Sequence, residues 1–229
     1  MFILEGKLTF INIEQSYLKK LHDACSEVYY KPSGYENKPY IGILINKNDR
    51  KYVIPLSSAK EKHKTWKNVD KECYLVYEMA KKSSMAQGDI WVAAEEDDVK
   101  HILSVMDIKK MIPIVDGVYS RVNINPDDTD TDDVKKYKDL LNKEYSFCLK
   151  VIDEVIGRAN KLYDKQMATG KVVKFCCDFK ALEEVAERKL DPYCMAQAIK
   201  GAYGDDKMAV SIYMKIRVKD LKEKIRNSN

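Results

Sequence analysis

"KPYIGILINKNDRKYVIPLSSAKEKH", residues 38–63, decides how this chain is read. Two runs rich in β-branched and aromatic residues, "YIGILIN" and "KYVIPL", flank the short polar stretch "KNDR", the pattern of a β-hairpin. Pro55 near the end of the second run cannot donate to a ladder, so it predicts an edge or a strand end there. Ser57 and Ser58 close the second strand, and Lys60, Lys62 and His63 follow within five residues. Between Lys38 and Lys71 there are nine basic residues against three acidic ones, a local excess of six in a chain whose formal net charge is only +4. Tyr35, Tyr40, Tyr52 and Trp66 lie among or beside these cations, and aromatic rings stack on unpaired bases. Three explanations compete for such a rim: a solvated face, a phosphate-binding surface, or a catalytic site acting on phosphate.

Outward from the hairpin, "KLTFINI" alternates as a strand and "EQSYLKKLHDACSEVYY" carries Tyr17, Leu18, Leu21 and Cys25 at helical spacing. "CYLVYEM" is another strand, and "ILSVMDIKKMIPIVDGVYSRVNI" holds two more around an irregular turn at Pro113. Six short strands and one early helix predict an α+β fold built on a compact, strongly twisted antiparallel sheet or partial barrel. The polar segment ending at His101, about residues 78–101, reads as an excursion on the surface. "NPDDTDTDDV" marks a break, with Asp132 or Asp133 as helix cap. A long helix runs from Val134 to about Lys165 and Gly170 ends it; "CDFKALEEVAERK" is a second amphipathic helix with Asp178 at its start. The last ~40 residues mix helical and strand periodicities.

Composition excludes several classes. With 229 residues and 45% hydrophobic content the chain can bury one sizeable core. The start, "MFILEGKLTF", is interrupted by Glu5 too early for a signal peptide, and no apolar run approaches the ~18 residues of a membrane span. The six cysteines have no C-x-x-C spacing and there are three histidines, which argues for reduced buried thiols rather than a zinc site. These features predict a soluble cytoplasmic protein with neither metal nor cofactor. No glycine-rich phosphate loop or nucleophile elbow occurs. "DDTDTDD" lacks the glycine and closing glutamate of a calcium loop, and His22 and His101 stand alone in the sequence.

Cleaving RNA through its own 2′-hydroxyl requires cations and hydroxyls around a phosphorane and one proton moved at each end. Serines and lysines on the rim of a rigid hairpin supply those groups.

Here the residues resemble a known family. "NKPYIGILINKNDRKYVIPLSSAKEKH" is similar to the central motif of the ToxN/AbiQ family, the toxins of type III toxin–antitoxin systems. "FINIEQSYLKKLHDACSEV" resembles that family's opening strand and helix, "KKMIPI" its Met-Ile-Pro segment and "CCDFKALEEVAERK" its closing helix. The resemblance implies a MazF/Kid-like fold, spanning residues 1–190 as an endoribonuclease domain with 191–229 as a C-terminal extension. It implies metal-independent cleavage of cellular or phage RNA, growth arrest or abortive infection, and a repeated RNA pseudoknot antitoxin held with the toxin in a closed RNA–protein assembly. Carried over by position, Ser57 and Lys60 contact the scissile phosphate, and Lys38 serves the phosphorane or the proton transfer. Ser58 binds an adjacent phosphate or supports the turn. His63 makes a base contact or a structural hydrogen bond. Tyr35, shifted by one from the family's tyrosine, joins Lys62, Lys64 and Trp66 as RNA-binding candidates. Ala59 replaces a frequent proline, and the segment between Tyr77 and His101 is longer than the family leads one to expect. The alternative function is a non-catalytic RNA-binding module using the same basic hairpin.

Overall fold

The computed structural model describes residues 1–32, 39–46, 48–70 and 72–187. Lys38 and Tyr35, and the extension 191–229, lie outside the described residues. The strands are β1 (Ile3–Leu4), β2 (Phe10–Ile13), β3 (Tyr40–Ile45), β4 (Lys51–Ser58), β5 (Val69–Asp70), β6 (Cys73–Lys81), β7 (Ile90–Ala93), β8 (Asp98–Asp107), β9 (Ile112–Ile114) and β10 (Tyr119–Arg121). All their pairings are antiparallel, and the sheet path β10-β2-β3-β4-β8-β6-β5 is open at both ends. The fold is therefore α+β, as the sequence predicts, with ten strands among the described residues rather than six: the short β1, β5 and β7 are additional, and the region after β8 holds two strands, β9 and β10.

β4 is the hub. Its first residues pair with β3 on one side and β9 on the other, and its last three, Leu56 to Ser58, pair with β8. Pro55 sits between the end of the β9 ladder at Val53 and the start of the β8 ladder at Leu56. A residue with no N–H is tolerated in that gap, so β4 is a central strand and not an edge. In β3 the register shifts between Ile41 and Leu44. Gly42 takes φ +68° in this bulge, and a Cβ there would lie 3.4 Å from Leu8 Cδ1. The left-handed backbone is what demands glycine, the space around its Cβ position being filled to ordinary contact distance.

Two helices cover the sheet. α1 (Gln15–Ala24) buries Tyr17, Leu18 and Leu21, and the Tyr17 hydroxyl donates to the Pro113 carbonyl at 3.1 Å. α2 (Asp132–Thr169) has 38 residues, roughly 57 Å at 1.5 Å per residue. Its cap is Thr131 rather than either aspartate, and Gly170 ends it in the left-handed conformation at φ 66°. Leu141, Cys148, Val155, Ala159 and Leu162 form its buried stripe. No helix among the described residues is long and apolar enough to cross a membrane. α3 occupies 179–187, with the Asp178 carboxylate accepting from the Ala181 N–H at 3.1 Å as its cap.

The α2–α3 turn is locked by Gln166, which donates to the Cys177 carbonyl at 3.0 Å and accepts from the Phe179 N–H at 2.6 Å. α3 then docks on the loop end of the β3–β4 hairpin. Glu183 is buried there and accepts from the hydroxyls of Tyr52 (2.9 Å) and Tyr163 (2.7 Å). Arg50 pairs with both Glu183 and Glu187.

Candidate active site

The serine end of β4 and the turn after it carry those predicted site residues that the structure describes, Ser57, Ser58, Lys60, Lys62, His63, Lys64 and Trp66. Ser57 is opposite Val105 and Ser58 opposite Ser104 on β8, so a long strand holds both hydroxyl-bearing residues in fixed register. Both are half-buried. The Leu56 N–H reaches the Pro39 carbonyl at 3.4 Å, which brings the start of β3 beside the serine pair. Ser104, which sequence reasoning missed, is fully buried, and its hydroxyl has no hydrogen-bond partner among the described residues. Only the strand pairing reveals it.

Beyond Ser58 the chain enters a short 3₁₀ turn, Glu61–Thr65, preceded by Lys60 in extended conformation. His63 builds this turn. Its Nδ1 accepts from the Lys60 N–H at 2.9 Å, while its own N–H donates to the Lys60 carbonyl at 2.8 Å. Because Nδ1 accepts, the neutral imidazole carries its proton on Nε2. The ring is 3% exposed and meets Trp66 edge-on at 4.6 Å between centroids. Burial, then the Lys62 and Lys60 ammonium groups, hold its pKa below the ordinary value. His63 thus makes a structural hydrogen bond that fixes the backbone of Lys60, leaving the Lys60 side chain exposed.

The cations are not one patch. Arg50 is paired with Glu183 and Glu187, and Lys51 lies 2.9 Å from Asp116 and 3.4 Å from Glu5. These two stand at the loop end of β4, ~20 Å from Ser57 at about 3.3 Å per residue. At the serine end, Lys64 pairs with Glu61 at 2.8 Å and Lys62 stands over the Trp66 ring at 5.5 Å. No carboxylate lies within salt-bridge distance of Lys60 or Lys62 among the described residues. Ser57, Ser58, Lys60 and Lys62 thus lie in sequence along the strand end and the histidine-pinned turn, away from the ion pairs of the loop end. Lys47 and Lys71, also counted in the basic excess, lie outside the described residues.

The segment 78–101 is not a separate excursion. It lengthens β6 and β8 and adds β7, whose Ile90 and Val92 join Ala59 and Trp66 against Cys73, Leu75, Ile102 and Val105. This second small core is the floor beneath the 3₁₀ turn. Glu78 binds His101 Nδ1 at 3.1 Å and Lys143 of α2 at 3.2 Å, so the arm is tied to the long helix.

An open antiparallel sheet whose central strand ends in two serines, followed by Lys60 and Lys62 with no carboxylate partner among the described residues, carries the groups that bind a phosphate backbone. The chain belongs to the family described as toxin ToxN of type III toxin–antitoxin systems, whose pattern matches residues 9–187. It is 26% identical over 182 residues to the endoribonuclease ToxN of Bacillus thuringiensis subsp. kurstaki, covering 76% of this chain and 80% of that protein. It is 28% identical over 193 residues to the endoribonuclease AbiQ of Lactococcus lactis subsp. lactis, covering 80% and 90%. Among solved structures, AbiQ, a lactococcal anti-phage endoribonuclease, superposes with a TM-score of 0.59 at 23% identity, over 80% of this chain and 98% of that one. A type III toxin described as selectively inhibited by a non-coding RNA pseudoknot gives a TM-score of 0.57 at 24% identity, over 80% and 98%. These two likenesses establish the fold.

Proposed function

We propose that this chain is an endoribonuclease toxin that cuts RNA at the β4 turn and is restrained by an RNA pseudoknot antitoxin. The observation that carries the proposal is the turn itself. Ser57 and Ser58 end β4 and Lys60 leads into a turn pinned by His63, in a chain whose family is that of the type III toxins. Curated relatives named endoribonucleases support the reaction class, and the solved complex with an inhibitory RNA pseudoknot supports the partner.

The reaction is transesterification. The substrate's 2′-oxygen forms a bond to the adjacent phosphorus, the bond to the 5′-oxygen breaks, and the products carry a 2′,3′-cyclic phosphate and a 5′-hydroxyl. Charge develops on the non-bridging oxygens of the phosphorane. Lys60 supplies the positive charge there, and the Ser57 hydroxyl donates a hydrogen bond to the same phosphate. Ser58, one residue on, holds the neighbouring phosphate. Lys38, the residue before Pro39 in sequence, serves the phosphorane or the proton transfer, and Tyr35 is an RNA contact. Lys62, Lys64 and Trp66 line the approach as RNA contacts, while His63 holds the turn through its structural hydrogen bond. In the cell, cleavage arrests growth or aborts phage infection, and the toxin processes its own antitoxin precursor.

The test is incubation of antitoxin-free protein with total RNA in excess EDTA, followed by mapping of fragment ends. Cyclic-phosphate ends that disappear in Lys60→Ala are expected. Intact RNA from the folded native protein would overturn the enzyme assignment and leave a module that only binds RNA.

A further inference from the structure

Beside the turn, the arm formed by β6, β7 and β8 carries a surface that shares Lys62 and Trp66 with the turn and extends beyond it. Trp66 and Tyr77 both pack against the second small core of Cys73, Leu75, Ile102 and Val105. Each ring has an ammonium group over it: Lys62 stands 5.5 Å from the Trp66 centroid and Lys100 5.2 Å from that of Tyr77. Asn68 joins the group. Its amide nitrogen donates to the Tyr77 hydroxyl at 3.4 Å, and its carbonyl oxygen accepts from Lys100 Nζ at 2.7 Å. Tyr77 is packed from the far side by Phe147 of α2 at 5.2 Å between centroids. The rings pack against the small core, while Lys62 is held over Trp66 by a cation–π contact and Lys100 over Tyr77 by one such contact and its hydrogen bond to Asn68.

A cation released from a ring toward a phosphate exposes an aromatic face to a base. Alternating rings and ammonium groups of this kind serve unpaired RNA, because every base has a face to stack and every linkage a charge to neutralise. The surface also has an end. The tip between β7 and β8 is "EEDD", residues 95–98, where Asp98 holds Lys81 at 2.6 Å, and Asp89 and Glu78 flank His101. A polyanion following the arm meets repulsion there, so the favourable stretch runs from Trp66 to Lys100 and stops.

We propose that Trp66, Asn68, Tyr77 and Lys100 form a subsite for unpaired RNA that flanks the cleaved linkage, with the segment 78–101 as its scaffold. The assignment rests on the RNA reading of the turn and adds to it the substrate class, a single strand longer than the linkage cut.

The experiment measures binding rather than cleavage, in a Lys60→Ala background that cannot consume the probe. Fluorescein-labelled oligoadenylates of about four and about twelve nucleotides are titrated by anisotropy at several salt concentrations. The longer strand is expected to bind more tightly. Tyr77→Leu, which keeps the apolar packing and removes the stacking ring, is expected to weaken it about tenfold and leave the short strand unchanged. Lys100→Ala is expected to weaken the longer strand and to lower the salt slope by about one. Equal affinity of the two strands, or a loss in Lys100→Ala with none in Tyr77→Leu, overturns the subsite. Asn68→Ala, at an exposed position, repeats the test if Tyr77→Leu lowers the melting temperature. Cleavage by the wild-type protein in EDTA is scored separately, so failure of the nuclease assignment is distinguishable from failure of this one.

Discussion

The two ends of the β3–β4 hairpin use the same residue types for opposite purposes. At the loop end, Arg50 and Lys51 are bound to Glu183, Glu187, Asp116 and Glu5, and Tyr52 adds its hydroxyl to the buried Glu183. At the serine end, Lys60 and Lys62 have no carboxylate partner among the described residues, and the local fold work is done by a neutral histidine. Charges that are answered within the protein stabilise it, and charges left unanswered on a rigid turn await an anion. The comparison predicts that mutations at the two ends separate activity from stability.

The largest effect belongs to Lys60→Ala. Removing one preorganised charge or donor from a developing oxyanion costs about 10²–10³ in rate. Because Lys60 is exposed, the melting temperature should not move. A calorimetric scan beside a cleavage assay checks both, and a melting point falling with activity would erase the contrast between the ends.

Arg50→Ala should do the reverse. Glu183 is 6% exposed and would keep its two tyrosine donors but lose its counter-charge. Breaking a buried pair by removing one partner costs about 3 kcal/mol, which is ~6–12 °C in a chain of this size. Cleavage per folded molecule should be unchanged at temperatures where the variant is native. A stability loss below about 1 kcal/mol would mean that the α3 dock is dispensable.

Gly42→Ala sits between the two ends and should cost about 1–2 kcal/mol. The substituted residue must hold φ +68° with its Cβ 3.4 Å from Leu8. If the bulge sets the register that delivers Pro39 to Leu56, activity per folded molecule should fall as well. An unchanged chemical denaturation midpoint would show that the bulge relaxes around a side chain.

How much of this was legible in the sequence follows from the range of the interactions. The hairpin, α1, α2 and the start of α3 rest on alternation, helical period and caps within a few residues, and each is where the pattern puts it, except that α1 stops at Ala24 and leaves Cys25 extended. The basic excess was legible as a number but not as a place, because linear composition cannot tell the two ends of an eight-residue strand apart. The acids that answer Arg50 are more than 130 residues away in sequence, at Glu183 and Glu187. The partner change of β4 at Pro55 was likewise out of reach, and Pro55 alone suggested an edge. "KKMIPI" reads as a motif, yet Met111 and Ile112 are fully buried and Pro113 receives Tyr17, so its role is in the core. The segment 78–101 looked like a loop because its polar faces are solvated. Only Ile90 and Val92 betray the floor that it makes for the turn.

The smallest expected effect tests the histidine that replaces an ion pair at the serine end. Nδ1 of His63 can accept from the Lys60 N–H only while it is unprotonated. Its folded pKa lies below the 6.5 of an ordinary histidine, first through burial and then through Lys62 and Lys60. The unfolded chain therefore binds more protons than the native one as pH falls past ~6.5. The stabilisation is complete above that value and is lost as pH drops through the folded pKa, with a net worth of at most about 1 kcal/mol. His63→Leu keeps packing against Trp66 and removes the titration. The difference in melting temperature between wild type and His63→Leu should be constant above pH 7 and shrink toward pH 5. Because it is a difference, contributions from titrating groups elsewhere in the chain cancel. A gap independent of pH would mean that the turn holds Lys60 without its histidine, and the two ends of the hairpin would then differ in charge alone.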